Sequence, residues 1–233
     1  LNTAVAESLC QFADTLEGAE NFEAALHDLI VKTISAHKRI IFNGNGYDDA
    51  WIAEAEKRGL LNLKTTPDAI PTLVAEKNIA LFCKHKVLTE RELHARYEIM
   101  LEAYSKVINI EALTMVDMVN RDILPALSAY GEKLGRTIAK KTAVAGVKCL
   151  YETGTLEKLS AFTDVIYEEV GLLEDAIASV KSITDNLELA KAFESDVIPK
   201  MQALRATVDS AECITGSGFW PYPTYGELLF GVR

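Results

Sequence analysis

A seven-residue apolar repeat in the second half of the chain is the feature that most restricts its fold. Six aliphatic residues keep the repeat, and Thr163 fills its one polar position: Leu159, Ile166, Val170, Leu173, Ile177 and Val180. An apolar stripe with this period is typical of an amphipathic helix that packs against other helices. The stretch therefore predicts a long helix within a helical bundle.

A second long helix is predicted before this repeat. It begins at the capping-box sequence Thr89–Glu92, and apolar residues then recur at spacings of three and four as far as Val119. The periodicity indicates one long helix, and Pro125 predicts a bend in it because proline cannot donate the helical hydrogen bond.

A third long helix is predicted after Asp185 and Glu188, which cap its first turn, and it carries a mid-helix proline, Pro199. Its apolar stripe consists of Phe193, Val197, Met201, Leu204, Val208 and Ala211. Three long amphipathic helices that are joined by short links predict an antiparallel bundle.

The first half of the chain is built of shorter elements. Helices are predicted over 2–16, 22–36 and about 49–58, the second capped by Asn21 and the third by Asp48. Between them lies a turn-rich loop, Phe42–Tyr47. The expected fold is thus mainly α, with short helices over 1–88, the bundle over 89–215 and a tail over 216–233.

The tail is rich in aromatic residues and proline. Seven large apolar side chains fall within twelve residues: Phe219, Trp220, Tyr222, Tyr225, Leu228, Leu229 and Phe230. Such a patch favours association when it is left in solvent. We therefore expect the tail to fold back onto the short-helix region, near residues 37–66.

Charge and cysteine usage limit the classes of partner. The 233 residues include 34 acidic and 24 basic side chains, a net charge of −10, which disfavours nucleic acid and anionic membranes. No apolar run approaches the roughly 18 residues of a membrane helix. The four cysteines are far apart and indicate reduced thiols in the cytoplasm. The start at Leu1, without methionine, suggests a cut from a longer chain.

No complete catalytic, cofactor-binding or metal site is predicted. Gly44-Asn-Gly46 lacks the third glycine and the flanking strand of a dinucleotide loop, which favours a structural turn. The acid–histidine pairs Glu23/His27 and Glu90/His94 have an i,i+4 spacing instead of the Glu-x-x-His spacing of di-iron bundles. They are interpreted as surface pairs. The residues alone indicate a helical interaction or structural module.

Several segments resemble the type III glutamine synthetases, the long bacterial form, and they come in the family's order. The segments are His37–Tyr47, Gly59–Thr66, Asn109–Met115, Asp122–Pro125 and Trp220–Phe230, and the opening Leu1–Glu7 resembles the helix that closes the family's catalytic domain. The resemblance implies a parent glutamate–ammonia ligase that uses ATP with magnesium or manganese and assembles as a double-ring dodecamer.

The same resemblance limits the role of this chain. The family's metal-binding glutamates and phosphate-holding arginines lie upstream of Leu1, so it assigns no catalytic, cofactor or metal residue here. It implies that residues 1 to about 85 finish the catalytic domain, that the bundle serves assembly, and that the segment alone is inactive. Tyr47 falls near a tyrosine that shorter bacterial members adenylylate, but the surrounding leucine and proline pattern is absent. A free-standing helical adaptor that shares these segments remains the alternative.

Overall fold

The computed structural model describes residues 1–231, and every regular element among them is helical. The chain divides into two compact units. The first, Leu1–Leu101, is called here the short-helix unit, and the second, from Glu102 onward, the bundle unit. The boundary lies inside a helix, and the predicted domain limits at residues 88 and 215 stay predictions.

The short-helix unit contains five helices and the start of a sixth. They are α1 (Asn2–Leu16), α2 (Phe22–His37), α3 (Asp49–Lys57), α4 (Thr66–Ala69), α5 (Glu76–Lys84) and α6 (Glu90–Met118), with 3-10 turns at Lys38–Ile40 and Ile70–Val74. Side-chain caps lie at the N-termini of three of these helices, as the sequence predicted. Asn21 accepts the N–H of Ala24, Asp48 accepts that of Ala50, and Glu92 completes a capping box with Thr89.

The bundle unit is built from the rest of α6 and five further helices. They are α7 (Leu124–Ala145), α8 (Leu150–Val180), α9 (Asn186–Ala192), α10 (Ile198–Glu212) and the short α11 (Tyr225–Phe230). Helix α8 packs against both α7 and α10. Residues 146–149 are the whole link between α7 and α8, so these two helices run antiparallel. The predicted mainly α fold with a long-helix bundle is confirmed.

The predicted apolar stripes form the core of the bundle unit. Thr163 also lies on α8, and its hydroxyl donates to the carbonyl of Leu159, 2.7 Å away. Core residues from α6 to α8 that are fully or almost fully buried include Ala112, Leu127, Leu134, Leu159, Ile166, Val170 and Leu173. The part of the chain that follows α8 contributes Phe193, Val197, Leu204 and Ala211 to the same core.

Both mid-helix prolines follow a π-helical turn. Val119–Ile123 forms one such turn before Pro125, and Phe193–Val197 forms the other before Pro199. At the end of each, the hydrogen bond spans five residues instead of four. A proline ring clashes with the carbonyl four residues before it, and the wider turn relieves this clash while the helix continues. Where the sequence predicted a bend near Pro125, the structure therefore has a π turn.

The first part of the tail packs on the bundle unit, and the expected docking near residues 37–66 stays a prediction. Phe219 lies against Tyr130, with ring centroids 5.1 Å apart, and Trp220 packs against the bundle core. The hydroxyl of Tyr222 donates to Asp122 Oδ2 at 3.0 Å. The core of the bundle leaves apolar surface that these aromatic rings cover.

The second part of the tail forms α11. Thr224 and Glu227 make a complete capping box at its start. Tyr225, Leu228 and Phe230 on this helix are largely exposed. The last two positions of the predicted tail, Val232 and Arg233, lie outside the described residues.

Candidate docking surface on the short-helix unit

The short-helix unit buries very little of its apolar surface. Within this unit only Pro67, Leu93 and Leu101 are buried, although its overall fraction of apolar residues is similar to that of the bundle unit. The exposed large apolar residues include Val5, Leu9, Phe22, Ile30, Val31, Ile34, Ile40, Ile41, Leu61 and Leu63. Exposed apolar side chains in this number are typical of a region that another protein surface covers.

Helix α2 carries the most regular part of this surface. Ile30, Val31 and Ile34 are 47%, 49% and 52% exposed, and spacings of three and four place them on one face of the helix. Leu26 and Leu29 on the same helix are partly buried. An amphipathic helix normally buries its apolar face, so this face of α2 lacks a partner.

Arg58 holds the segment after α2 in place. Its Nε donates to Glu54 Oε1 at 2.6 Å, and its Nη1 donates to the carbonyls of Ile41 and Arg39 at 3.0 and 3.3 Å. The hydrogen bond from Arg58 also lowers the pKa of the Glu54 carboxyl. The guanidinium thereby fixes the backbone around Ile40 and Ile41, whose side chains are 58% and 50% exposed.

Aromatic contacts fix the adjoining loop. Phe42 stacks on Trp51 with ring centroids 4.0 Å apart, and Arg58 lies over the same indole at 5.5 Å. A Cβ at Gly44 would come within 2.5 Å of the Phe42 ring, so glycine is needed for the ring to keep this position. The structure has a turn at Gly46 and Tyr47, and the Tyr47 side chain is 99% exposed.

A charged cluster joins α1 to the end of α5. Glu7 accepts hydrogen bonds from Lys84 Nζ at 2.7 Å and from Gln11 Nε2 at 2.8 Å, and His85 Nε2 lies 2.6 Å from its other oxygen. These contacts lower the pKa of Glu7 to about 2, and the hydrogen bond from Lys84 has the largest effect. The carboxylate is therefore charged at neutral pH and holds two otherwise loosely packed helices together.

The described residues do not fit a nucleotide-bound divalent metal. Glu23, His27, Glu90 and His94, the acid–histidine pairs of the sequence, are all exposed. Nowhere in residues 1–231 do three His, Cys, Asp or Glu side chains come together in a way that could hold a metal ion. Oxygen clusters of that kind are what magnesium and manganese require. The prediction that this chain has no site residues stays a prediction.

None of the helices among residues 1–231 has the length and apolar composition that crossing a bilayer requires.

Comparison with known proteins identifies the family. Residues 25–142, half of the chain, match the family described as the glutamine synthetase C-terminal domain, and the chain belongs to this family. Its sequence is 39% identical to a glutamine synthetase of Butyrivibrio fibrisolvens over 92% of the chain and 31% of that relative.

Further relatives agree with this result. A type-3 glutamine synthetase of Dictyostelium discoideum is 33% identical over 99% of the chain and 32% of its own length. A glutamine synthetase of Bacteroides fragilis (strain YCH46) is 26% identical over 99% of the chain and 33% of its own length. The chain spans about a third of the length of these relatives. The predicted resemblance to the C-terminal region of the type III enzymes is confirmed.

Proposed function

We propose that this chain is the C-terminal structural part of a glutamine synthetase, and that the whole protein ligates ammonia to glutamate with ATP. The family membership and the fraction of each relative that the chain spans support the proposal. In the whole protein, ATP and magnesium or manganese would be held by residues outside this chain, which alone is inactive. The enzyme acts in the cytoplasm and assembles as the double-ring dodecamer that the family resemblance implies.

The exposed apolar surface of the short-helix unit is the observation on which the proposal rests. Its exposed apolar surface, with Ile30, Val31 and Ile34 at the centre, is the face that the upstream catalytic domain covers. Burial of apolar surface stabilises an interface by roughly 25 cal/mol per Å², so a face of this kind favours a permanent contact. The bundle unit, which has its own core, is free for contacts between subunits.

Two assays test the proposal. The isolated chain, supplied with ATP, magnesium, glutamate and ammonia, should release no glutamate-dependent phosphate. In the whole protein, the pair Ile30→Glu and Ile34→Glu should separate the two parts and abolish activity, because two charges would enter an apolar contact. The matched control is Lys32→Glu, an exposed residue on the opposite side of α2 from Ile30 and Ile34. Its effect on ligation should be small.

A free-standing helical adaptor is the second candidate, and the self-contained core of the bundle unit favours it. It predicts that the chain is made by itself and stays monodisperse. Isolation of the chain as part of a protein about three times its length would rule out this candidate.

A further inference from the structure

A cleft of about 590 Å³ opens on the bundle unit, between α6 and α10. Its volume falls within the range of small-molecule sites, roughly 300–1,000 Å³. The floor is apolar and is formed by Ile108, Met115, Val119, Met201 and Leu204. Val119 and Leu204 are almost fully buried, so the cleft reaches the core and is more than a surface groove.

The tail supplies an aromatic wall to this cleft. Trp220 and Tyr222 line it and meet edge to face, with ring centroids 6.5 Å apart. The hydrogen bond from Tyr222 to Asp122 fixes the wall. Burial, followed by that contact with Asp122, raises the pKa of Tyr222 to about 12, so the hydroxyl keeps its proton at neutral pH. The wall is thus formed before any ligand arrives.

The rim of the cleft is negatively charged. It carries Glu111, Asp209 and Glu212 against one base, Arg205, and three acids less one base leave a net charge of −2. Arg205 is already paired, since its Nε lies 2.8 and 2.9 Å from the two oxygens of Asp209. Within residues 1–231, neither Glu111 nor Glu212 has a basic side chain within 4.0 Å. Two carboxylates therefore face the mouth of an apolar cleft without a cation.

Both π turns border the same cleft. Val119 and Ile123 belong to the first turn, and Ile198 directly follows the second. Turns of this type occur often at functional sites. The widened helices place their side chains around one cavity, although the two turns are far apart in sequence.

We propose that this cleft binds a small amphipathic cation, an amine carried on an aromatic or aliphatic body. The apolar body lies on the methionine and isoleucine floor against Trp220, and the ammonium group lies between Glu111 and Glu212. Opposite charges attract most strongly where water is partly excluded, and an ammonium near an indole ring gains a further attraction. An anion of the same shape is repelled by the rim.

Three probes of one shape and different charge test the proposal on the full chain. They are 3-phenylpropylamine, 3-phenylpropan-1-ol and 3-phenylpropanoate. The readout is the indole N–H resonance of Trp220, which Trp51→Phe distinguishes from the other indole. The amine should shift this resonance saturably, and the carboxylate should bind at least about tenfold more weakly because the rim repels it. The difference should shrink at high salt.

Charge variants locate the ammonium group. Glu111→Gln with Glu212→Gln should lower the amine's affinity about tenfold, to that of the alcohol, because the attraction to the rim is removed. Glu157→Gln, an exposed glutamate on α8 outside the cleft, is the matched control and should leave all three affinities unchanged. The proposal is overturned by an amine that gives no saturable shift, by equal binding of amine and carboxylate, or by full amine affinity in the double variant.

Discussion

The two units differ in how many of their apolar side chains they bury. In the bundle unit, the apolar stripes of α6 to α10 meet one another, and most of their largest members are below 5% exposed. In the short-helix unit, α1 and α2 contain no buried residue at all. Both regions are similarly rich in apolar residues, so composition does not explain the contrast. The contrast comes from the number of other helices that each apolar face contacts.

This difference in burial makes the bundle unit stable by itself and leaves the short-helix unit with an apolar surface that needs a partner. A bundle that buries its stripes needs nothing else to fold. Helices such as α2, which are short and expose half of their isoleucine surface, gain most of their stability from packing and need a partner. In the isolated chain, the helices of the short-helix unit are held together by the polar contacts of Glu7 and Arg58. These fix geometry, and they contribute less stability than a buried core.

The largest effect should come from the core of the bundle. Ile166→Ala removes a fully buried side chain and should lower the free energy of unfolding of the bundle unit by about 2–5 kcal/mol, because a cavity remains. The matched control, Ile30→Ala on the exposed face of α2, should cost less than about 1 kcal/mol in the isolated chain. Denaturant unfolding measures both. Equal losses would contradict the contrast between the two units.

A smaller loss is expected at the aromatic wall. Trp220 is half-buried against the bundle core, so Trp220→Ala should cost about 2 kcal/mol, less than the 3–5 kcal/mol of a fully buried tryptophan. Hydrogen exchange of the α8 amides should quicken. Trp51→Ala, the corresponding change in the other unit, should leave those amides unaffected. If instead the amides of residues 37–66 responded to Trp220→Ala, the observed placement of the tail would be refuted.

The pH dependence distinguishes the polar contacts of the short-helix unit from the core. The pKa of Glu7 is lowered from 4.5 to about 2 in the folded chain. Its contribution is therefore fully present above about pH 4.5 and is lost as the pH falls towards 2. Glu7→Gln should lower the melting temperature of the short-helix unit at pH 7 but not at pH 2. Glu56→Gln, an exposed glutamate on α3, is the control. A loss that is independent of pH would show that packing, not charge, holds α1 to α5.

The smallest effect should come from Thr163. Its hydroxyl donates to a carbonyl of its own helix, and that carbonyl keeps its backbone hydrogen bond when the hydroxyl is removed. Thr163→Val should therefore change stability by less than about 0.5 kcal/mol. Tyr222→Phe removes a hydrogen bond that joins distant parts of the chain, and about 1 kcal/mol should be lost. Thermal unfolding of both variants tests the order, and a larger loss at Thr163 would reverse it.

The sequence predicted the helices well because their signals are local and repeated. The stripe from Leu159 to Val180 and the capping residues Asn21, Asp48 and Thr89 all lie where the pattern indicated. The position of the tail is harder to predict, because apolar composition predicts that Trp220 will be covered without indicating which surface covers it. Its docking near residues 37–66 stays a prediction.

The polar contacts were harder to foresee. Glu7 and Lys84 are 77 positions apart, and nothing local connects them. Trp51 and Arg58 are an exception, since a spacing of seven places them on the same face of α3. The cleft had no sequence signal beyond the two similar segments Asp122–Pro125 and Asp196–Pro199, which mark the π turns that border it.

The π turns each hold one residue more than a regular helical turn. Each residue of a regular α-helix rotates the chain by roughly 100°, so successive steps of four drift by about 40°. Val119, Ile123 and Leu127 are spaced by four and are all buried, and the wider turn reduces the drift between them. Deleting one residue of the first π turn would leave a regular four-residue turn, and Leu127 and Leu134 would still face α8. The cost would fall on Pro125, whose ring would again clash with the carbonyl four residues before it. A deletion between Leu127 and Leu134, where the helix is regular, would instead rotate the residues that follow by about 100°. The π turns are thus the places where the long helices best accommodate a change of length.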